Sequence, residues 1–365
     1  MGSTLMRIVA ACRIGLLSIA GDYLRLSRGP SKVSFWDYTR LRLFDREFWA
    51  GEDRRNVVGQ SRSLQIWTTI NYRVDWWGCF DSKLASTAYL SAFGFPVIPV
   101  RAIYCENATA GRADRVLTDG QALRGYLQHA DHYPLFGKPA EGNQSLGPLT
   151  LRRHRPDADG VETFDGRVIT FDELTGELSR HYTEGYVFQP LMVPHDTIRA
   201  VCGDRLATIR VLPLRTARET PQVLRACWKI PAGGNMADNL WHDGNLVAKL
   251  DLETGAVECV LSGSGVDLAS QTHHPDTGAN LIGFRLPCWD AVPATAQEAA
   301  RVIEQAPLIG WGIAGLDDGP VIVEMNERPD FILPQLADSR GMLDAQLLDF
   351  MAVRKEKAAA RRAEL

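Results

Sequence analysis

The chain has 365 residues, 45% of them hydrophobic and 23% charged, with a formal net charge of −4 at pH 7. That length allows one large domain or two to three smaller ones, the composition is that of a soluble globular protein, and the acidic balance argues against a protein built mainly to grip nucleic acid. Seven scattered cysteines without a C-x-x-C pair signal neither a zinc site nor a disulfide framework, so reduced thiols and a cytoplasmic setting are expected.

The N-terminal stretch MGSTLMRIVAACRIGLLSIAG has an apolar run that Arg13 interrupts, and polar DYLRLSRGP follows without a small-residue cleavage site. It reads as an amphipathic helix rather than a signal peptide or membrane span, with a membrane-surface anchor as the alternative. Residues 1–75 read as an N-terminal helical accessory region, rich in arginine and aromatics, in which DWWGC begins as core or interface rather than a sugar-stacking platform. Residues 76–130 read as α/β. DSKLASTAYLSAFGFPVIPVRAIY gives a helix, a turn at Gly94 and Pro96, and a strand ending at Tyr104. TDGQALRGYLQHA gives a further helix capped by Thr118 or Asp119.

Residues 131–195 begin with YPLFGKP, a strand that runs into the loop AEGNQSLG. Thr170 and Glu173 have the spacing of a capping box and open the helix TFDELTGELSRHY; the strand EGYVFQPLMV follows. Residues 196–345 read as a series of strands, TIRAVCGD, LATIRVLPLR, NLVAKLDLETG and VECVLSG. The helix TAQEAARVIEQA then leads into the hairpin GWGIAGLDDGPVIVEMN. His273 and His274 read as a solvated turn, and residues 346–365 as a helical tail whose charged end, VRKEKAAARRAEL, reads as a frayed, solvated helix. Interspersed helices and strands with hairpin turns make an α+β chain.

Several residues have chemistry to offer. Glu324 and Asn326 are two apart on a strand, so both side chains leave the same face and present oxygens that suit a hard cation such as Mg²⁺. Lys138, before the small-residue loop, is placed to reach phosphate oxygens, although the G-x-x-x-x-G-K-[ST] order of a P-loop is absent. Arg199 and Arg210, read as strand residues, each need an anionic partner if they point inward. The solvated-surface alternative is open for each residue alone; their order along the chain carries the functional reading.

That order (lysine, Gly/Ser loop, hinge strand, Thr-x-Arg, Asp-Asn, acid-x-Asn) resembles the ATP-grasp superfamily. TIRAV, MADNLWHDGNLVAKLDLETG and GWGIAGLDDGPVIVEMNERPD resemble its sugar-transfer-associated branch over about residues 75–345. The resemblance implies an ATP-grasp fold, two α+β subdomains (131–195 and 196–345) clamping a nucleotide, with an N-terminal helical and α/β extension. It implies ATP and Mg²⁺ as cofactors, small-molecule carboxylate and amine substrates, no nucleic acid and no transmembrane segment; a homo-oligomer is compatible with it. Lys138 and Lys83 would contact phosphates, with Ser145 and Gly147 in the loop closing over them. Gln189, Pro190, Leu191 and Met192 would form the adenine hinge, and Asp196 would hold the ribose. Arg199, Arg210, Lys229, Asp238 and Asn239 would lie near the γ-phosphate and acceptor, with Glu324 and Asn326 on Mg²⁺.

The sequence departs from the resemblance at Gly312, where related chains have a metal-binding Asp in GWD. Asp251, Asp317 or Glu327 are candidate substitutes. The expected activity is that of an ATP-dependent ligase; a ligand-binding protein that has lost catalysis and a kinase-type phosphotransferase are the alternatives.

Overall fold

The computed structural model describes residues 2–12, 14–49, 54–108, 115–141, 147–215, 221–236 and 238–364. Four helices come first: α1 (Gly2–Cys12), α2 (Leu16–Ser27), α3 (Phe35–Arg40) and α4 (Gln60–Ile70). A capping box starts α3, with Ser34 Oγ accepting from Asp37 N at 3.1 Å and the Asp37 carboxylate accepting from Ser34 N at 2.9 Å. Two short helices follow, α5 (Trp77–Asp81) and α6 (Lys83–Ala92).

The first sheet then forms from β1 (Ala102–Tyr104), β2 (Val116–Leu117), β3 (Leu135–Pro139), β4 (Leu149–Arg155), β5 (Gly160–Thr163), β6 (Val168–Thr170) and β7 (Tyr186–Pro190). Its spatial order is β2-β1-β7-β3-β4-β5-β6, and every pair is antiparallel except β1 with β2. Helices α7 (Gly120–Leu127) and α8 (Phe171–His181) bury Leu123, Leu127, Leu174 and Leu178 against Tyr104, Leu135, Leu151 and Phe188. Asp119 caps α7, and Thr170 and Glu173 close the expected box on α8.

After α9 (Asp196–Cys202) comes the second sheet: β8 (Thr208–Leu214), β9 (Gln222–Ile230), β10 (Leu246–Leu250), β11 (Val257–Ser262), β12 (Ala269–Gln271), β13 (Gly310–Leu316) and β14 (Gly319–Asn326). Its order is β12-β11-β10-β9-β8-β13-β14, antiparallel throughout. Strand alternation divides its side chains between two cores. Trp228, Ala248 and Val260 face α10 (Ala291–Val302), whose Val292, Ala296 and Ala299 join them. Cys227, Val247 and Leu261 face the other way, against Ile19, Leu26 and Tyr38 of the N-terminal helices and Leu336 of α11 (Ile332–Asp338). Burial on both faces makes this sheet the centre of the molecule.

Two expectations are corrected. TIRAVCGD is the helix α9, not a strand: its β-branched residues suggested extension, but Ile198 and Cys202, four apart, are the buried pair. His195 Nδ1 accepts from Thr197 N at 3.1 Å to start that helix, and Gly203 at φ +79° ends it. The tail is helical, packed over its first half and mostly solvated beyond Arg354. In α12 (Ala345–Glu364), Leu347 and Phe350 sit on Ile66 and Ile70 of α4, and Arg354 Nε donates to Ile70 O at 3.0 Å. His274 is buried, its Nε2 3.1 Å from Pro231 O and its Nδ1 accepting from Asp276 N, so it braces a loop instead of facing solvent. Among the described residues no helix is long and apolar enough to cross a membrane.

Two buried amides tie the N-terminal region to the second sheet. Asn71 Nδ2 donates to Leu308 O (2.7 Å) and Glu327 O (3.0 Å), and its Oδ1 accepts from Leu308 N at 3.2 Å. Gln335 Oε1 accepts from Val58 N at 2.7 Å while its Nε2 returns a bond to Val58 O at 3.1 Å. Asn71→Ala leaves three buried backbone groups without partners, so it should lower the unfolding free energy by about 2–4 kcal/mol, seen as a reduced midpoint in denaturant with an unchanged slope.

Candidate functional site

Cross-strand register builds the site. On β14 Glu324 lies opposite Gly312 of β13, and Gly312 lies opposite Arg210 of β8. Residues directly opposite in an antiparallel sheet share a face, so Glu324, position 312 and Arg210 form one row. Because Gly312 has no side chain, Arg210 reaches across it and Nη2 donates to Glu324 Oε1 at 2.7 Å. A Cβ at 312 would come within 2.6 Å of Glu324 Cγ, and one at Gly310 within 3.0 Å of Arg210 Nη1. The neighbouring row adds Lys229 and Thr208, also opposite each other. Lys229 Nζ is 3.0 Å from Asp238 Oδ1 and 3.8 Å from Glu324 Oε1, and both the Thr208 backbone N–H and hydroxyl donate to Asp238.

These residues wall one side of a cavity of about 1290 Å³ between the two sheets. Lys138 on β3 and Lys83 at the start of α6 line it as well, so Lys138 and Glu324 share one cleft. Burial alone would raise the Glu324 carboxyl, but Arg210, Lys229, a hydrogen bond from Asn326 and Lys138 overcome it and hold the group at about 2. Burial pushes the Lys138 ammonium down to about 8, with Glu324 opposing and Lys83 reinforcing the shift. Burial also lowers Lys83, against Glu324, Asp81 and Glu141.

Beside the charged cluster the wall is apolar, lined by Ile98, Pro134, Phe136, Leu191, Met192 and Ile322. Gln189 and Pro190 line it too, and Gln189 Nε2 donates to Ile98 O at 2.9 Å, joining β7 to the segment before β1. Gly147 lies at φ +75°, its carbonyl accepting from Tyr186 Oη at 2.8 Å, and a Cβ there would strike the Tyr182 hydroxyl. Ser145 lies outside the described residues.

Arg199 and Asn239 line the cavity. Asn239 Oδ1 also accepts from Trp241 N at 3.2 Å. Asp196 does not line it: its carboxylate is exposed on α9, 3.1 Å from Arg199 Nη2. Sequence reading missed Thr208, Asp330 and the apolar residues Ile98 and Ile322, which reach the cavity from distant segments and follow no local pattern.

Of the substitutes for an acid at 312, Asp251 caps its own turn by accepting from Thr254 N and Oγ1, and Asp317 accepts from Asp196 N at 3.0 Å; neither lines the cavity. Glu327 does line it, with Arg328 Nε 3.0 Å from its Oε1. No group of three or more His, Cys, Asp or Glu side chains is gathered to hold a metal among the described residues. The donor set nevertheless fits Mg²⁺ carried by a nucleotide, which needs only one or two protein oxygens beside phosphates and water. Glu324 and the Asn326 amide, whose Nδ2 is turned to Gly310 O at 3.4 Å, would supply them.

The family model described as sugar-transfer associated ATP-grasp matches residues 80–349, most of the chain. No curated protein sequence matches. Similar solved structures include D-alanine–D-alanine ligases from Coxiella burnetii and Bacillus anthracis. The first is 13% identical with TM-score 0.43, over 78% of this chain and 59% of that one. The second is 15% identical with TM-score 0.42, over 77% and 70%. An L-amino acid ligase from Bacillus licheniformis is 11% identical with TM-score 0.32, over 68% and 40%. The chain thus spans less than two thirds of two of these proteins. By its family match the chain belongs to the sugar-transfer-associated ATP-grasp family, and its α+β architecture is that of an ATP-binding ATP-grasp fold.

The geometry gives two tests. Gly312→Asp inserts a second carboxylate between Arg210 and Glu324; calorimetry should show weaker ATP binding and a lower melting temperature, and tighter binding would contradict the packing described. Lys138 is charged below about 8, and an anionic ligand favours that charged form. ATP affinity should therefore fall above pH 8, by up to about tenfold per pH unit, with uptake of a proton on binding. Lys138→Arg should flatten the profile.

Proposed function

We propose that the chain is an ATP-dependent carboxylate–amine ligase that works through an acyl-phosphate. The observation that carries this reading is the grouping of Lys83, Lys138, Arg210 and Lys229 with Glu324 and Asn326 in one cleft, beside an apolar stretch of wall. Phosphoryl transfer asks a protein chiefly for positioning and charge compensation, and this cleft offers both.

In this reading the adenine lies against Gln189, Pro190, Leu191 and Met192, and the polyphosphate runs toward Lys138 and Lys83. Arg210 and Lys229 face the γ-phosphate, with Arg199 and Asn239 further along the wall. Mg²⁺, held by Glu324 and Asn326, would neutralise phosphate charge. A substrate carboxylate oxygen attacks the γ-phosphorus, the bond to the β-bridging oxygen breaks, and ADP departs. A neutral amine then attacks the acyl carbon, phosphate leaves, and the amine gives up a proton as the amide forms. The acyl-phosphate must be kept from water. The acceptor class, in polysaccharide, glycoconjugate or specialised metabolite assembly, is part of the proposal.

A second reading has a specific observation behind it. With no carboxylate at 312 and Glu324 already paired to Arg210 and Lys229, the chain would be a nucleotide-binding protein without turnover.

Purified protein with ATP, Mg²⁺ and panels of acids and amines should release ADP and phosphate only when an acid and an amine are both present. ATP binding without turnover across panels that contain the true pair would support the second reading. Lys138→Ala should weaken ATP binding at least about tenfold, the loss of one charge-assisted contact. Glu324→Gln should abolish Mg²⁺-supported turnover yet tighten ATP binding in a chelator, because a negative charge beside the phosphates is gone. If both variants bind and react like the parent, the assigned site is wrong.

A further inference from the structure

The N-terminal helices bury one face and leave another apolar face bare. On α2, Ile19 and Leu26 are buried, while Leu17 is 90% and Leu24 45% exposed. Each pair is seven residues apart and so shares a helix face, and Leu17 lies about 200° round the helix from Ile19. The stripe that carries Leu17 and Leu24 continues through Gly21 to exposed Arg28. Leu16, at 49%, and Met6 of α1, at 60%, add exposed apolar surface, whereas Ile8 of α1 is buried.

Charge says what covers this face. The first 36 residues contain five basic residues (Arg7, Arg13, Arg25, Arg28 and Lys32) against one acid, Asp22, although the whole chain is at −4. Asp22 is itself buried and paired with Arg54 at 2.8 Å, and Arg7 is paired with Asp267 at 2.7 Å. Arg25, Arg28 and Lys32 stay exposed around the leucines, and Arg46 is exposed nearby at 3.6 Å from Asp22; Arg13 lies outside the described residues. An exposed apolar stripe bordered by arginine and lysine matches the interface of an anionic lipid bilayer, where leucines enter the acyl boundary and cations meet headgroups. A second copy of the chain would bring the same positive rim against itself.

We propose that the α1–α2 face is a peripheral membrane-binding surface for anionic lipid, seated on helices whose other side is locked into the central sheet. The inference is independent of the reaction assigned to the cleft.

Sedimentation of the full chain with vesicles tests it. The protein should pellet with vesicles of phosphatidylcholine mixed with phosphatidylglycerol, at least about tenfold better than with phosphatidylcholine alone, and less at high salt. Leu17→Asp with Leu24→Asp should abolish pelleting while leaving the melting temperature unchanged, since both side chains face outward. Arg28→Glu with Lys32→Glu should remove the preference for anionic lipid. The proposal fails if the parent stays in the supernatant with both vesicles, or if the double aspartate variant pellets like the parent. It fails equally if the parent is a dimer that the aspartates dissociate while no vesicle binding occurs, which would assign the face to a second copy.

Discussion

The contact between Arg210 and Glu324 across an empty position is the constraint on which the site depends. The two residues belong to strands separated by a third, and ordinarily a side chain on the middle strand would stand between them. Gly312 removes it, and Gly310 gives the guanidinium room. A half-buried ion pair is a weak source of net stability, because desolvating its charges offsets much of their attraction. Its value here is positional: it fixes a carboxylate and a guanidinium at one spot on the cavity wall, and Lys229, tied to Asp238, completes the charge balance.

The elements outside the family match contribute to holding that wall. Asn71 joins α4's end to both residue 308, before β13, and residue 327, after β14, so the paired strands bearing Gly312 and Glu324 are held at their shared end. Gln335 does the same for Val58. Arg354 closes the last carbonyl of α4 and stacks on Tyr72 at 4.7 Å, so the carboxy-terminal helix braces the same region. A region that reads as accessory in sequence thereby supports the cleft.

Much of this was legible in the residues. Caps at Asp119 and Thr170 use local chemistry, and the hairpin leading to Glu324 and Asn326 has both strand alternation and a turn, so these elements read directly. The α+β class followed from their succession. Local reasoning lost its grip where the decisive partner was remote. The ion pair of Arg210 links positions 114 apart. The strand β9, with Lys229, and the run β4 to β6 carry no alternation that marks them as strands; the arginines of β4 are held from the neighbouring strand, where Glu162 gathers Arg153 and Arg155. TIRAV was misread for the opposite reason: its propensity was clear, and burial at a four-residue spacing overrode it.

The Gln189 tie has a consequence for molecular recognition. Because this side chain already holds the backbone at Ile98, that part of the apolar wall is braced before anything enters. With adenine against this wall, as proposed, a braced surface would leave discrimination between rings to the main-chain groups along their edges. Preorganisation of this kind spares an entering ring the entropic penalty of ordering its own binding walls.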